Sequence, residues 1–93
     1  ELPRLEGLAR VLGTVSGRTF LVAGHTADLG RPAGQKQLSV DRARAVVEAL
    51  ARRGVPRDRL IYEGRGAEYP VASNADEAGR AKNRRVEIII LED

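Results

Sequence analysis

"SVDRARAVVEALARRGVPRDRLIYEG", residues 39–64, decides the architecture. Ser39 is placed to cap a helix, with Asp41 in the first turn favouring its dipole. Ala43, Val46, Val47 and Leu50 recur at helical spacing and form a core-facing stripe. Arg52 and Arg53 suit the C-terminal turn, Gly54 supplies a left-handed residue just past it, and Pro56 prevents continuation. "RLIYEG", 59–64, then reads as a short strand. Before the helix, "RTFLVAG", 18–24, has the β-branched and aromatic content of a buried strand. Strand, helix and strand in succession predict a parallel crossover.

Further out, Leu2, Leu5, Leu8, Leu12 and Val15 recur every three or four residues, the stripe of an amphipathic helix. "HTADLGRPAGQKQ", 25–37, is punctuated by glycine and proline and reads as a loop of 13 residues. That is long against a median of about 4–6, which marks it as a functional candidate. "GRGAEYPVASN", 64–74, is a second loop, and "ADEAGRAKN", 75–83, a short helix interrupted by Gly79. "RRVEIIILED", 84–93, ends as a strand with Val86, Ile88 and Ile90 on one face and Ile89 and Leu91 on the other. Two apolar faces fit a central strand. The order predicts an α+β fold, helices layered on a small mixed sheet, as one domain over residues 1–93. A helix at the very start suggests that an opening strand belongs upstream.

The chain has 93 residues and a formal net charge of +3, carried by 14 Arg and 2 Lys against 13 acids. No cysteine is present, which excludes disulfides and thiolate metal sites. No segment approaches the roughly 20 apolar residues of a membrane span. Neither membrane contact nor nucleic-acid binding is expected. Phe20, Tyr62 and Tyr69 are too few for a base-stacking platform, and the arginines alternate with Asp41, Glu48 and Asp58.

Catalytic readings fare poorly. His25 and Asp28 are spaced as a metal-ligating pair, but no second histidine or "HExxH" accompanies them. Ser16, Ser39 and Ser73 have no neighbouring base. "GRPAGQK" and "GRGAE" do not match a phosphate loop, since Gln35 breaks the glycine–lysine step. No enzyme, metal or cofactor is expected. A polar pocket remains, built from the 25–37 loop, the start of the next helix and the start of the last strand. Arg42 stands one turn into that helix on this reading, and Arg84 and Arg85 precede the strand. Residue physics leaves a small-anion site and a solvated rim evenly balanced.

"LVAGHTADLG", "LSVDRARAVVEAL", "GVPRDRLIYEGRGAEYPVASN" and "GRAKNRRVEIIILED" together resemble the C-terminal peptidoglycan-binding domain of outer-membrane protein A. Peptidoglycan-associated lipoprotein and the flagellar stator protein MotB share that domain. The resemblance runs from Arg18 to Asp93 and implies a βαβαβ two-layer sandwich whose opening strand would precede Glu1. It also implies a periplasmic module of a longer envelope protein, bound non-covalently to the cell wall and open to contact with other envelope proteins. The implied ligand is stem-peptide diaminopimelate, whose free end carries an ammonium and a carboxylate. The arginine of "LSxxRA", here Arg42, takes the carboxylate in the family, and the first arginine of "NRR", Arg84, lines the pocket. Thr26, Gln35 and Leu38 fall where the family shapes the rim.

The departure is at "GHTADLG", 24–30. The family's ligand-binding aspartate falls on Ala27, and Asp28 stands one position late. Asp28 substitutes only if the backbone turns. A lost hydrogen bond to a charged group costs about 1.5–3 kcal/mol, roughly 10- to 150-fold in affinity. The resemblance therefore implies wall binding that is weakened, altered or lost, the alternative being a structural or protein-docking module with a vacated pocket.

Overall fold

The computed structural model describes residues 2–15 and 17–91, with only the backbone of residues 2–4. The Leu2 side chain, Ser16 and the last two residues of the expected final strand lie outside the described residues. The elements run α1 (Leu2–Gly13), β1 (Thr19–Gly24), α2 (Pro32–Arg52), a 3₁₀ turn (Arg57–Arg59), β2 (Leu60–Gly64), α3 (Glu77–Asn83) and β3 (Val86–Leu91). The sheet is mixed, in the order β2-β1-β3. β1 and β2 are parallel, with Phe20 opposite Leu60, and β1 and β3 antiparallel, with Val22 opposite Ile88. The α+β class and the parallel crossover are as expected.

Alternation along β1 builds the core. Phe20 and Val22 point under the helices and are fully buried. They meet Ala43, Val47 and Leu50 of α2, with Leu12 of α1 closing the cluster. Each such side chain contributes about 1.5–3 kcal/mol by leaving water. α2 lies across β1 and β2 so closely that its backbone nearly touches the strand ends. A Cβ on Gly24 would stand 2.2 Å from the Ser39 carbonyl oxygen, and one on Gly64 2.5 Å from the Val40 amide nitrogen. Only hydrogen fits at both positions.

The structure corrects four sequence expectations. First, α2 begins at Pro32, so the loop is residues 25–31 and not 25–37. Proline needs no N–H in a first helical turn, and its fixed φ suits that position, so the turn signals of "RPAG" lie inside a helix. The Gln35 carboxamide oxygen reaches back to accept from the amides of Leu29 at 2.5 Å and Arg31 at 3.2 Å. Arg31 is the residue just before the helix, whose amide a helix start leaves unpaired, and Leu29 belongs to the loop that leads into it. Secondly, Ser39 caps nothing. It is buried mid-helix, its hydroxyl donating to the Lys36 carbonyl (2.7 Å) and accepting from the Gly66 amide (2.9 Å). Arg42 is consequently about three turns into the helix, away from its positive end.

Thirdly, α3 runs unbroken through Gly79. The Asp76 carboxylate caps it by accepting from the Gly79 amide at 2.7 Å. The glycine is there for packing, because a Cβ would lie 1.8 Å from the Ser73 carbonyl oxygen. Fourthly, β3 is an edge strand of the described sheet, with β1 central. Its inner-face residues Val86 and Ile88 are half-buried against the helices, and Ile90 is largely exposed.

Candidate functional site

Beyond the end of β1 the chain stays extended for three buried residues, His25, Thr26 and Ala27, tied on both sides. The His25 amide donates to the Arg85 carbonyl (2.8 Å), and the Thr26 amide to the Gly66 carbonyl (2.9 Å). This segment extends the central strand between the lead-in to β3 and the loop after β2. It then emerges into solvent at Asp28. The Asp28 amide donates to Asn74 Oδ1 (3.1 Å), and its own Oδ1 accepts from the Gly30 amide (2.9 Å). That second bond spans two residues, the mark of an Asx turn. Asp28 shapes the chain reversal that leads into α2.

The candidate site residues fall into separate places. Arg42 and Arg84 line one groove of about 650 Å³ between α1, α2 and β3. Leu5, Leu8, Val46, Val86 and Ile88 give it an apolar wall, and Arg85 joins the other two arginines. Asp28 and Gln35 line a different, smaller cleft of about 200 Å³, beside Lys36, Gly66 and Glu68. Thr26 and Ala27 are buried, at 5% and 3% exposure, and line neither. Leu38 is exposed on α2, outside both.

The three groove arginines differ in how firmly they are held. Arg85 donates to Glu87 Oε2 (2.9 Å), to the Tyr69 carbonyl (2.8 Å) and to the Asn83 carbonyl (3.4 Å). Arg84 pairs with Glu77 through both terminal nitrogens. Arg42 has no hydrogen bond or ion pair among the described residues. The guanidinium of Arg84 holds the Glu77 carboxyl below the usual carboxylate range, and that of Arg85 does the same for Glu87. Arg42 is the cation with an open fork for a planar, two-oxygen anion.

Behind Arg85 sits a buried histidine. His25 is 1% exposed, with Nε2 3.0 Å from Glu87 Oε1 and its ring edge-on to Tyr69 at 6.2 Å. A carboxylate only accepts, so Nε2 carries the hydrogen and buried Nδ1 has no partner among the described residues. Burial, then the nearby Arg85 charge, lowers the pKa of this imidazole, against the pull of Glu87. His25 braces the site, and no cluster of three His, Cys, Asp or Glu that could hold a metal occurs among the described residues.

Sequence reasoning missed Asn83, which is fully buried beside the groove. Its Oδ1 accepts from the amides of Val71 (2.8 Å) and Ala72 (3.0 Å), and its Nδ2 donates to the Ala72 carbonyl (3.0 Å) and Asn74 Oδ1 (2.8 Å). Four bonds from one side chain fold the 71–74 loop against the entry to β3 and so fix where Arg84 and Arg85 begin. The only signal was its place directly before the paired arginines. Glu77 and Glu87, the partners of those arginines, also went unremarked.

Comparison with known proteins fits this geometry. Residues 3–84 match the OmpA family. Outer membrane protein A of Bordetella avium is 37% identical over 87 residues, covering 94% of this chain and 45% of that protein. Peptidoglycan-binding protein ArfA of Mycobacterium tuberculosis is 44% identical over 69 residues, 74% of this chain and 21% of that one. The chain thus spans less than half the length of these relatives. The crystal structure of the peptidoglycan-associated lipoprotein from Burkholderia pseudomallei superimposes with a TM-score of 0.89 at 32% identity, over 97% of this chain and 76% of that one. With a family model matched over residues 3–84 and the fold shared with the solved lipoprotein, the chain belongs to the OmpA family.

Proposed function

We propose that this chain is a non-catalytic, periplasmic domain that associates with the cell wall by binding peptidoglycan stem peptide, with Arg42 taking a ligand carboxylate. The observation that carries the reading is the groove, where Arg42, without a partner among the described residues, and Arg84 share an apolar wall. The names of two relatives, a peptidoglycan-binding protein and a peptidoglycan-associated lipoprotein, support the ligand class. The ammonium end of diaminopimelate lacks its usual partner. Ala27 is buried and uncharged, and the Asp28 carboxylate is engaged with Gly30 at another cleft. Diaminopimelate binding is therefore weakened, or directed to wall peptides without a distal ammonium. The same burial of Ala27 favours a second reading, a structural or docking module for other envelope proteins that has given up the wall.

Titration calorimetry with a diaminopimelate-containing stem peptide tests both. Weak binding that Arg42→Ala abolishes supports the first reading, and equal binding by native protein and Arg42→Ala overturns it. Ala27→Asp returns a carboxylate to the position that the resemblance assigns to the ammonium's partner: tighter binding restores that partner, and no gain means that the pocket is remodelled beyond one side chain. No binding by either the native domain or Ala27→Asp favours the docking module.

A further inference from the structure

We propose, resting on the reading of Arg42 as the carboxylate-binding residue, that Glu77 sets the specificity of the groove: by holding Arg84, it leaves the site able to take one ligand carboxylate and not two. Three guanidinium groups line the groove, and each is in a different state. Arg85 is spent on structure, tied to Glu87 and to the Tyr69 and Asn83 carbonyls. Arg42 has no partner among the described residues. Arg84 is held by a single residue, Glu77, in a two-point pairing.

That pairing has the properties of a reversible block. Glu77 is 65% exposed and lines no part of the groove, so it contributes charge without filling space. Arg80 steadies it from the same helix, its Nε donating to Glu77 Oε1 at 3.3 Å. Arg84 depresses the Glu77 pKa, so the carboxylate is ionised at neutral pH. A second ligand carboxylate approaching Arg84 must displace Glu77 and then stand beside its negative charge. Carboxylates this close do not share one guanidinium without penalty. The first carboxylate, on Arg42, meets no such competitor.

A double-mutant cycle on the intact chain, read by titration calorimetry with the diaminopimelate stem peptide, tests the assignment. In the native background Arg84→Ala should weaken binding far less than Arg42→Ala, which abolishes it. Glu77→Gln should tighten binding by about two- to fivefold, the scale of an exposed ion pair, and Glu77→Gln with Arg84→Ala should lose that gain. A merely structural Glu77 would not make the effect depend on Arg84. Unchanged or weaker binding by Glu77→Gln, or a loss on Arg84→Ala matching that of Arg42→Ala, overturns the role of Glu77 and spares Arg42. Absence of binding by both the native chain and Glu77→Gln overturns the two readings together.

Discussion

Ser39 offers the sharpest test of how this fold is held. Its side chain is fully buried, donating to Lys36 in its own helix and accepting from Gly66, 27 residues away. Ser39→Ala removes the acceptor and strands the Gly66 N–H in the interior. An unsatisfied buried donor costs about 1–3 kcal/mol. A central value of about 2 kcal/mol lowers the melting temperature of a domain this size by about 8–16 °C. That alone does not separate a buried serine from a capping one, whose loss costs about 0.5–2 kcal/mol. Ser39→Asp does. At a helix start aspartate caps as well as serine, but here it would bury a carboxylate against the Lys36 carbonyl oxygen that the serine hydroxyl now donates to. Thermal melts by circular dichroism at neutral pH should find Ser39→Asp largely unfolded. Ser73→Ala, at an exposed serine, should melt close to wild type. A Ser39→Asp domain melting at or above wild type would refute the placement of Ser39 and the early start of α2.

Further expectations follow from the same contacts. Asn83→Asp exchanges two donors for an acceptor facing Ala72 O and Asn74 Oδ1, and should cost about 2–4 kcal/mol, read by thermal melts. Unchanged stability would contradict the assigned amide orientation. His25 is held below its ordinary value of 6.5, so the unfolded chain binds its proton more readily than the folded one. The stability this confers is complete above that value and falls away as pH drops through it toward the folded pKa. Melting temperature should thus decline between about pH 7.5 and pH 5.5, and His25→Gln should flatten the slope. An identical slope in both proteins removes His25 as its source. Gly79→Ala, forcing a Cβ against Ser73, should destabilise α3 and raise amide exchange at residues 77–83.

Much of the fold was legible because it rests on local periodicity. The stripe Ala43, Val47, Leu50 and the alternation Phe20, Val22 report burial directly, and both pack as expected. What stayed hidden depends on partners far along the chain. Ser39 reads as a cap because its polarity is visible and Gly66 is not. Pro32 and Gly34 carry turn composition, yet they occupy a first helical turn where neither is costly. The two apolar faces of β3 suggested a central strand, whereas in the described sheet it is an edge, and only Val86 and Ile88 pack against the core cluster. The site was legible only through resemblance. No spacing rule brings Arg42 to Arg84, and none places Asp28 at a cleft apart from both. Glu77, the charge that answers Arg84, lies seven residues back across an element boundary.

The glycines beneath α2 carry a consequence for anyone redesigning this domain. With hydrogen alone between the Gly24 and Gly64 backbones and the helix above, the height of α2 over the sheet is set at its minimum. Arg42 rides on that helix, whereas Arg84 and Arg85 hang from the strand side. The spacing of Arg42 from the strand-side arginines therefore depends on two positions that line neither cleft. A methyl group at either would act as a shim, tilting the helix and opening the cation pair without altering a single charge.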